Sequence, residues 1–306
     1  MTNKYLDNGK LGKSSLKTYL ISIIFIGIVG SILGAVIEII AEVIGILPPN
    51  TASMTNPSLT VMFITTIFSF GSFFITIYLA IKYIHKRDFM TIINTTAKNE
   101  KVNGFIAGLK RFRWIKFLKG FGIFGIFLTV TYTILFMFIP FDFKGLNLSF
   151  FVSMFIFGLI ALFVQCGLEE LLFRGYLNQA FASKINQPLI VIAISSLLFG
   201  VTHLQSMALN PYNILTVVMI FIVGIILSIA TLVTGGLEFS WGVHLINNFF
   251  NFVLITNSSA GLIKMIPIDP VLFQGFGLIQ VVIIGIIFFV WKKEEVLNVL
   301  SPKKIT

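Results

Sequence analysis

The sequence predicts an all-α, polytopic integral membrane protein with about eight transmembrane helices. Three observations carry this. Of the 306 residues, 57% are hydrophobic and only 11% are charged. The apolar residues come in runs of about 20, the length a helix needs to cross a bilayer. Lys and Arg gather at the ends of those runs, where they report topology. A net charge of +10 distributed in this way suits anionic lipid headgroups rather than nucleic acid.

The elements follow in order. Residues 1–17 are polar and basic. The first span, 18–47, stops at Pro48-Pro49 and carries Glu38 and Glu42 one turn apart, acids expected to face a partner helix or the headgroups. It runs past signal-peptide length without a cleavage site, so no cleavable leader is expected. The second span covers 59–84, and His85 follows beside Lys86 and Arg87 as a solvated interface residue. Residues 82–119 hold ten Lys or Arg. Within them, 102–119 interleaves Phe105, Leu109, Phe112 and Trp114 with basic residues. That pattern suits either an amphipathic helix on an anionic lipid surface or an ordinary basic loop. The third span, 121–139, is stopped by Pro140. The fourth, 150–183, is expected to continue as one helix through a Glu-Glu pair. Spans over 189–209, 214–233, 241–255 and 271–291 complete the set, ahead of a basic tail.

The N-terminus, the 82–119 loop, the turn at Lys184 and the tail hold nearly all the basic residues. Both termini are therefore expected in the cytoplasm of a multi-pass cell-membrane protein. Three regions are expected: 1–149 with spans one to three, a core over 150–257, and 258–306 with the last span and tail. The single cysteine, Cys166, excludes an intramolecular disulfide and reads as a buried packing residue.

Between Phe150 and Trp291 only seven residues carry formal charge, and three of them fall together as Glu169, Glu170 and Arg174. Ionisable groups are expensive in hydrocarbon, so such a cluster reads as a functional site. Glu170 and Arg174 form an i,i+4 pair in the favoured order. Glu169 is rotated about 100° away on an α-helix, facing Phe173. One carboxylate is neutralised locally and the other is left for chemistry.

Two histidines lie inside spans. His203 closes Phe199-Gly-Val-Thr-His203, and His244 opens His244-Leu-Ile-Asn-Asn248, which puts His244 and Asn248 on one helix face. A turn at Asn186-Gln187-Pro188 makes spans four and five an antiparallel pair. Glu169 lies 17 residues before Asn186 and His203 lies 17 after it, so equal arms bring the two to one depth. For that depth to lie in the cytoplasmic part of the membrane, this hairpin must protrude on the cytoplasmic side. The set suits hydrolysis of a peptide bond. A carboxylate in apolar surroundings can serve as general base on water, with a neutral His holding the same water. A second His with an Asn amide can stabilise the oxyanion, at about 3–4 kcal/mol per donor.

Glu-Glu-Leu-Leu-Phe-Arg-Gly-Tyr-Leu, Ser-Ser-Leu-Leu-Phe-Gly-Val-Thr-His-Leu and Trp-Gly-Val-His-Leu-Ile-Asn-Asn resemble the three motifs of the CPBP family. These are the CAAX-prenyl endopeptidases and the bacteriocin-processing or Abi-type membrane proteases. The resemblance covers roughly 150–257 and meets every fixed position of Glu-Glu-x-x-x-Arg, Phe-x-x-x-His and His-x-x-x-Asn. It implies an intramembrane endopeptidase acting on a membrane-associated peptide or protein. Glu169 would be the base, His203 its partner on the water, and His244 with Asn248 the oxyanion donors. Glu170, Arg174 and Phe199 would order the site. The resemblance leaves two mechanisms open: a water activated without metal, or Zn²⁺ held by Glu169, His203 and His244 with an open position. A non-catalytic immunity or regulatory member is the alternative reading. A proton-coupled transporter is a third, but the chain shows no internal repeat of the kind many transporters carry.

Overall fold

The computed structural model describes residues 3–54, 58–96, 110–138, 141–142, 148–204, 210–251, 255–256, 263–265 and 270–301. The chain is a multi-pass membrane protein of the all-α class, its described residues almost all helical. Two short helical turns (α1, Lys4–Asp7, then Asn8–Lys10) precede α2 (Leu16–Val43) and α3 (Leu59–Leu79, continued as a π-helical turn over Ala80–Ile84). Then come α4 (Met90–Ile93), α5 (Trp114–Phe138) and α6 (Leu148–Glu169). The last of these runs without a break through a π-helical segment, Glu170–Leu177, into α7 (Asn178–Ala182). Five more helices follow among the described residues: α8 (Pro188–Val201), α9 (Pro211–Thr234), α10 (Glu238–Phe249), α11 (Pro270–Trp291) and α12 (Lys293–Leu300), the last bent from α11 by 93°.

Helix starts follow ordinary capping chemistry. Ser15 and Ser58 accept the backbone N–H of Thr18 and Val61 at the heads of α2 and α3. Asn210 caps α9 with Pro211 in its first turn, and Gly235 ends it at φ +69°. Helices meet through small residues, as expected where lipid is as apolar as a side chain. Ser72 donates to the Gly30 carbonyl at 2.9 Å, and Gly34 abuts Ser72. The α2–α3 contact is completed by Ser69, which donates to Glu38 at 2.6 Å. Glu42 accepts the Asn50 and Thr51 N–H groups. Glu38 thus faces a partner helix, as expected, whereas Glu42 caps the turn that follows its own helix.

Several expectations need correction. Among the described residues, five helices are long and apolar enough to cross a membrane, or six if the bent α11–α12 pair is one span. The count of eight is not reached, because α8 and α10 are short. Fourteen residues rise only about 21 Å, less than the roughly 30 Å hydrocarbon layer. A small sheet ordered β1 (Phe141–Asp142), β3 (Ile263–Met265), β2 (Ile255–Thr256) nevertheless gathers the chain after α5, after α10 and before α11 at one end of the bundle.

The third span begins at Trp114 rather than 121, so residues 114–119 of the basic stretch are the first turns of α5; 97–109 lie outside the described residues. Arg111 pairs with Asp88 at 2.7 Å, and Arg113 pairs with the fully buried Glu238. His85 is buried, not solvated. The N-terminal residues fold back over it, and its ring reaches the Lys13 carbonyl (2.8 Å) and the Tyr176 hydroxyl (3.0 Å).

Candidate active site

The helix carrying the two acids changes pitch between them. Glu169 is the last α-helical residue of α6, and Glu170 opens the π-helical segment. Such wide turns are rare and recur at functional sites. Within this one Glu170, Leu171, Phe173, Arg174, Tyr176 and Leu177 are all buried, so it is packed from every side. Arg174 Nη1 lies 3.2 Å from Glu170 Oε1, both side chains being almost wholly buried. This is the local pair the sequence predicts.

His244 enters from α10 and lies between the two carboxylates. Its Nδ1–H donates to Glu170 Oε1 at 2.8 Å, and its Nε2 faces Glu169 Oε2 at 3.4 Å. The bond to Glu170 fixes which ring nitrogen is left to the site. Glu169 Oε1 accepts a 3.4 Å bond from Gln165, while Oε2 is buried and makes no hydrogen bond. Glu170 Oε2 and Arg174 Nη2 are likewise buried without a hydrogen bond. A knot of buried polar atoms with open valences is uncommon in proteins and is what a water or substrate group would satisfy.

Phe199 is the hub on the other side. The Arg174 guanidinium lies 4.0 Å from the centre of its ring, a cation–π contact. His203 meets the same ring edge-on at 4.6 Å, His244 does so at 6.0 Å, and Phe173 packs at 4.9 Å. Phe173 and Phe199 each lie 13 residues from Asn186, so the hairpin has the equal-armed register expected of it. Ser195 ties it further by donating to the Phe173 carbonyl at 2.7 Å. His203 Nδ1–H donates to the Phe199 carbonyl at 2.8 Å, leaving Nε2 as the free acceptor. Among the described residues no hydrogen bond joins His203 to Glu169; His203 shares the Phe199 ring with Arg174 and His244.

Asn248 lies one turn beyond His244. Its amide donates to the Cys166 sulfur at 3.4 Å, and its carbonyl accepts from Asn247. Cys166 is fully buried, as the sequence predicts. Two features were not singled out from the sequence. Trp241 lies so close over Gly167 that a Cβ there would collide with its ring, and its indole N–H donates to the Phe163 carbonyl at 3.1 Å. The buried Glu238 accepts from Arg113 and from Asn94 (2.6 Å), anchoring the start of α10. Cys166 itself touches the site through Asn248. Trp241 opens the third motif block and Gly167 lies two residues before the first, which is the signal that could have found them.

A zinc site at Glu169, His203 and His244 needs three donors to converge. Among the described residues no three side chains of His, Cys, Asp and Glu do so. His244 instead turns its two nitrogens to two carboxylates.

Residues 150–250 match the family model described as type II CAAX prenyl endopeptidase Rce1-like. The resemblance carried by the three motifs is thereby borne out. The chain is also 30% identical over 186 residues to the "Uncharacterized protein YyaK" of Bacillus subtilis (strain 168). That match covers 60% of this chain and 58% of the other, so the chain spans less than two-thirds of that relative's length. No solved structure matches.

Proposed function

From the likeness of residues 150–250 to membrane endopeptidases, we propose that this protein is an intramembrane endopeptidase. It hydrolyses a peptide bond in a membrane-associated protein or peptide with a water activated by Glu169 and His203. The observation that carries this reading is the asymmetry of the two acids. Glu170 is held by Arg174 and by a 2.8 Å bond from His244, whereas Glu169 has only long contacts, 3.4 Å from Gln165 and 3.4 Å from His244.

The water bridges Glu169 Oε2 and the lone pair of His203 Nε2. Glu169 takes one proton as the water oxygen bonds to the carbonyl carbon. The resulting oxyanion is met by His244 Nε2–H, the ring being the doubly protonated imidazolium between the two carboxylates and aimed by the Glu170–Arg174 pair, and by the Asn248 amide. A thiol sulfur is a weak acceptor, so the amide gives up its bond to Cys166 at little cost. As the C–N bond breaks, Glu169 passes its proton to the leaving nitrogen. Oxyanion donors already fixed by their neighbours cost no reorganisation at the moment of reaction. The catalytic core is residues 150–257, with 1–149 and 258–306 flanking it. Both termini lie in the cytoplasm, where the positive-inside rule puts the basic residues. Lysines of the 82–119 stretch other than Lys116 meet anionic lipid, since Arg87, Arg111, Arg113 and Lys116 are engaged inside the protein.

The test is comparative proteomics of membrane peptides in cells carrying wild type or Glu169→Gln. Gln keeps the shape and loses the base. Cleavage products are expected to vanish while the variant inserts and accumulates normally. Wild-type proteolysis by Glu169→Gln sinks the assignment.

A further inference from the structure

Residues 3–13 lie outside the family-matched segment and carry none of its motifs, yet they are bonded to the helix that bears the acids. Gln179 of α7 donates to the Tyr5 carbonyl (3.2 Å) and to the Thr91 carbonyl (2.8 Å). Gly9 lies so close to the Gln179 carbonyl that any Cβ there would collide. Asn8, 1% exposed, donates to the Thr91 and Asn94 carbonyls, and the Arg87 guanidinium donates to the Asn8 carbonyl. Lys13 and His85 exchange two bonds, Lys13 N–H to the His85 carbonyl (2.7 Å) and His85 Nδ1–H to the Lys13 carbonyl (2.8 Å).

The chain of contacts ends on the π-helical segment. His85 Nε2 is 3.0 Å from the Tyr176 hydroxyl, which also lies 3.2 Å from the Tyr19 carbonyl. Tyr19 in turn donates to the Gly9 carbonyl at 2.7 Å. Tyr176 is fully buried, and its ring stands edge-on to Tyr19 and His85.

We propose that residues 3–13 form a strap that positions the active site, acting through Tyr176 on the π-helical segment. A π-helical turn holds one residue more than an α-helical turn and persists where tertiary contacts hold it. If its Tyr176 end were released, relaxation to the α register would rotate that end against Glu169 and Glu170 by one residue, about 100°. His244 and Trp241 hold the acid end of the segment, and the strap holds the other. Tyr176 is a positioning residue and touches no reacting atom. This rests on the endopeptidase reading above.

The test is Tyr176→Phe in the full chain, which removes the hydroxyl and keeps the ring. Its kcat and KM are measured on a cleaved membrane peptide, per folded molecule in detergent. A misplacement of about 1 Å can cost as much as 10²-fold in rate, so kcat is expected to fall roughly 10- to 100-fold with KM unchanged. Deletion of residues 1–13 is expected to lower kcat alike, and a synthetic peptide of residues 3–14 in excess to restore part of it. Wild-type kcat per folded Tyr176→Phe molecule overturns the proposal, even if the protein is less stable, because that is what a merely structural role gives. A raised KM at unchanged kcat overturns it too, since the strap would then belong to the substrate site. Glu169→Gln is run alongside: wild-type activity there removes the endopeptidase reading and the strap's role with it.

Discussion

Glu169 and Glu170 are adjacent and chemically identical, and both touch the ring of His244, yet their surroundings separate them. Glu170 holds an ion pair with Arg174 and a 2.8 Å bond from the imidazole. Glu170→Gln is therefore expected to destabilise the protein as well as inactivate it. Leaving a buried guanidinium unpaired costs about 3–5 kcal/mol, which a lowered thermal midpoint in detergent would register. If Glu170→Gln is as stable as wild type, Arg174 has another partner. Asn248 offers the complementary case, because among the described residues its one bond into α6 is to a thiol. Asn248→Ala is expected to leave stability almost unchanged and to slow turnover roughly 10²–10³-fold, the usual loss for one oxyanion donor. A loss below threefold would remove it from that role.

At the scale of elements, the α7–α8 hairpin and the N-terminal strap each make a prediction. The Phe173–Phe199 contact fixes the hairpin register, and that register carries Glu169 and His203 one turn further on each arm. On a Cys166→Ser background, Glu169→Cys with His203→Cys is expected to crosslink through a short bifunctional reagent added from the cytoplasmic side. Labelling of position 203 only from outside would mean that the hairpin does not protrude into the cytoplasm. The strap buries His85. Burial, reinforced by the Arg87 charge, lowers its pKa from 6.5 to about 4. The folded state therefore prefers the neutral ring. The stability this contributes is present above about pH 6.5 and is lost as pH falls through 4. Between pH 7 and 4 the thermal midpoint of wild type is expected to fall more steeply than that of His85→Asn. Parallel curves would show that this ring is not linked to folding.

At the scale of the molecule, the question is whether helices from the whole core deliver a metal or a water to one spot. Among the described residues, the donors around Glu169 do not converge as a metal set. Protein stripped with a strong zinc chelator and assayed in metal-free detergent is therefore expected to keep its activity. Activity that disappears on stripping and returns with stoichiometric zinc would make Glu169, His203 and His244 the ligands.

The sequence by itself determined the membrane class, the unbroken helix through Glu170, the Glu170–Arg174 pair and the hairpin register. Each depends on residues near in sequence, or on composition, where periodicity and spacing fix the geometry. The tertiary structure alone decided that His244 bridges the two acids, that the helix widens between them, and that Trp241 needs Gly167. It also decided that His85, beside two basic residues, is buried beneath the N-terminus. These are contacts between helices far apart in the chain, set by which faces meet. In a nearly uniform apolar sequence, periodicity cannot report which face of a helix meets protein and which meets lipid.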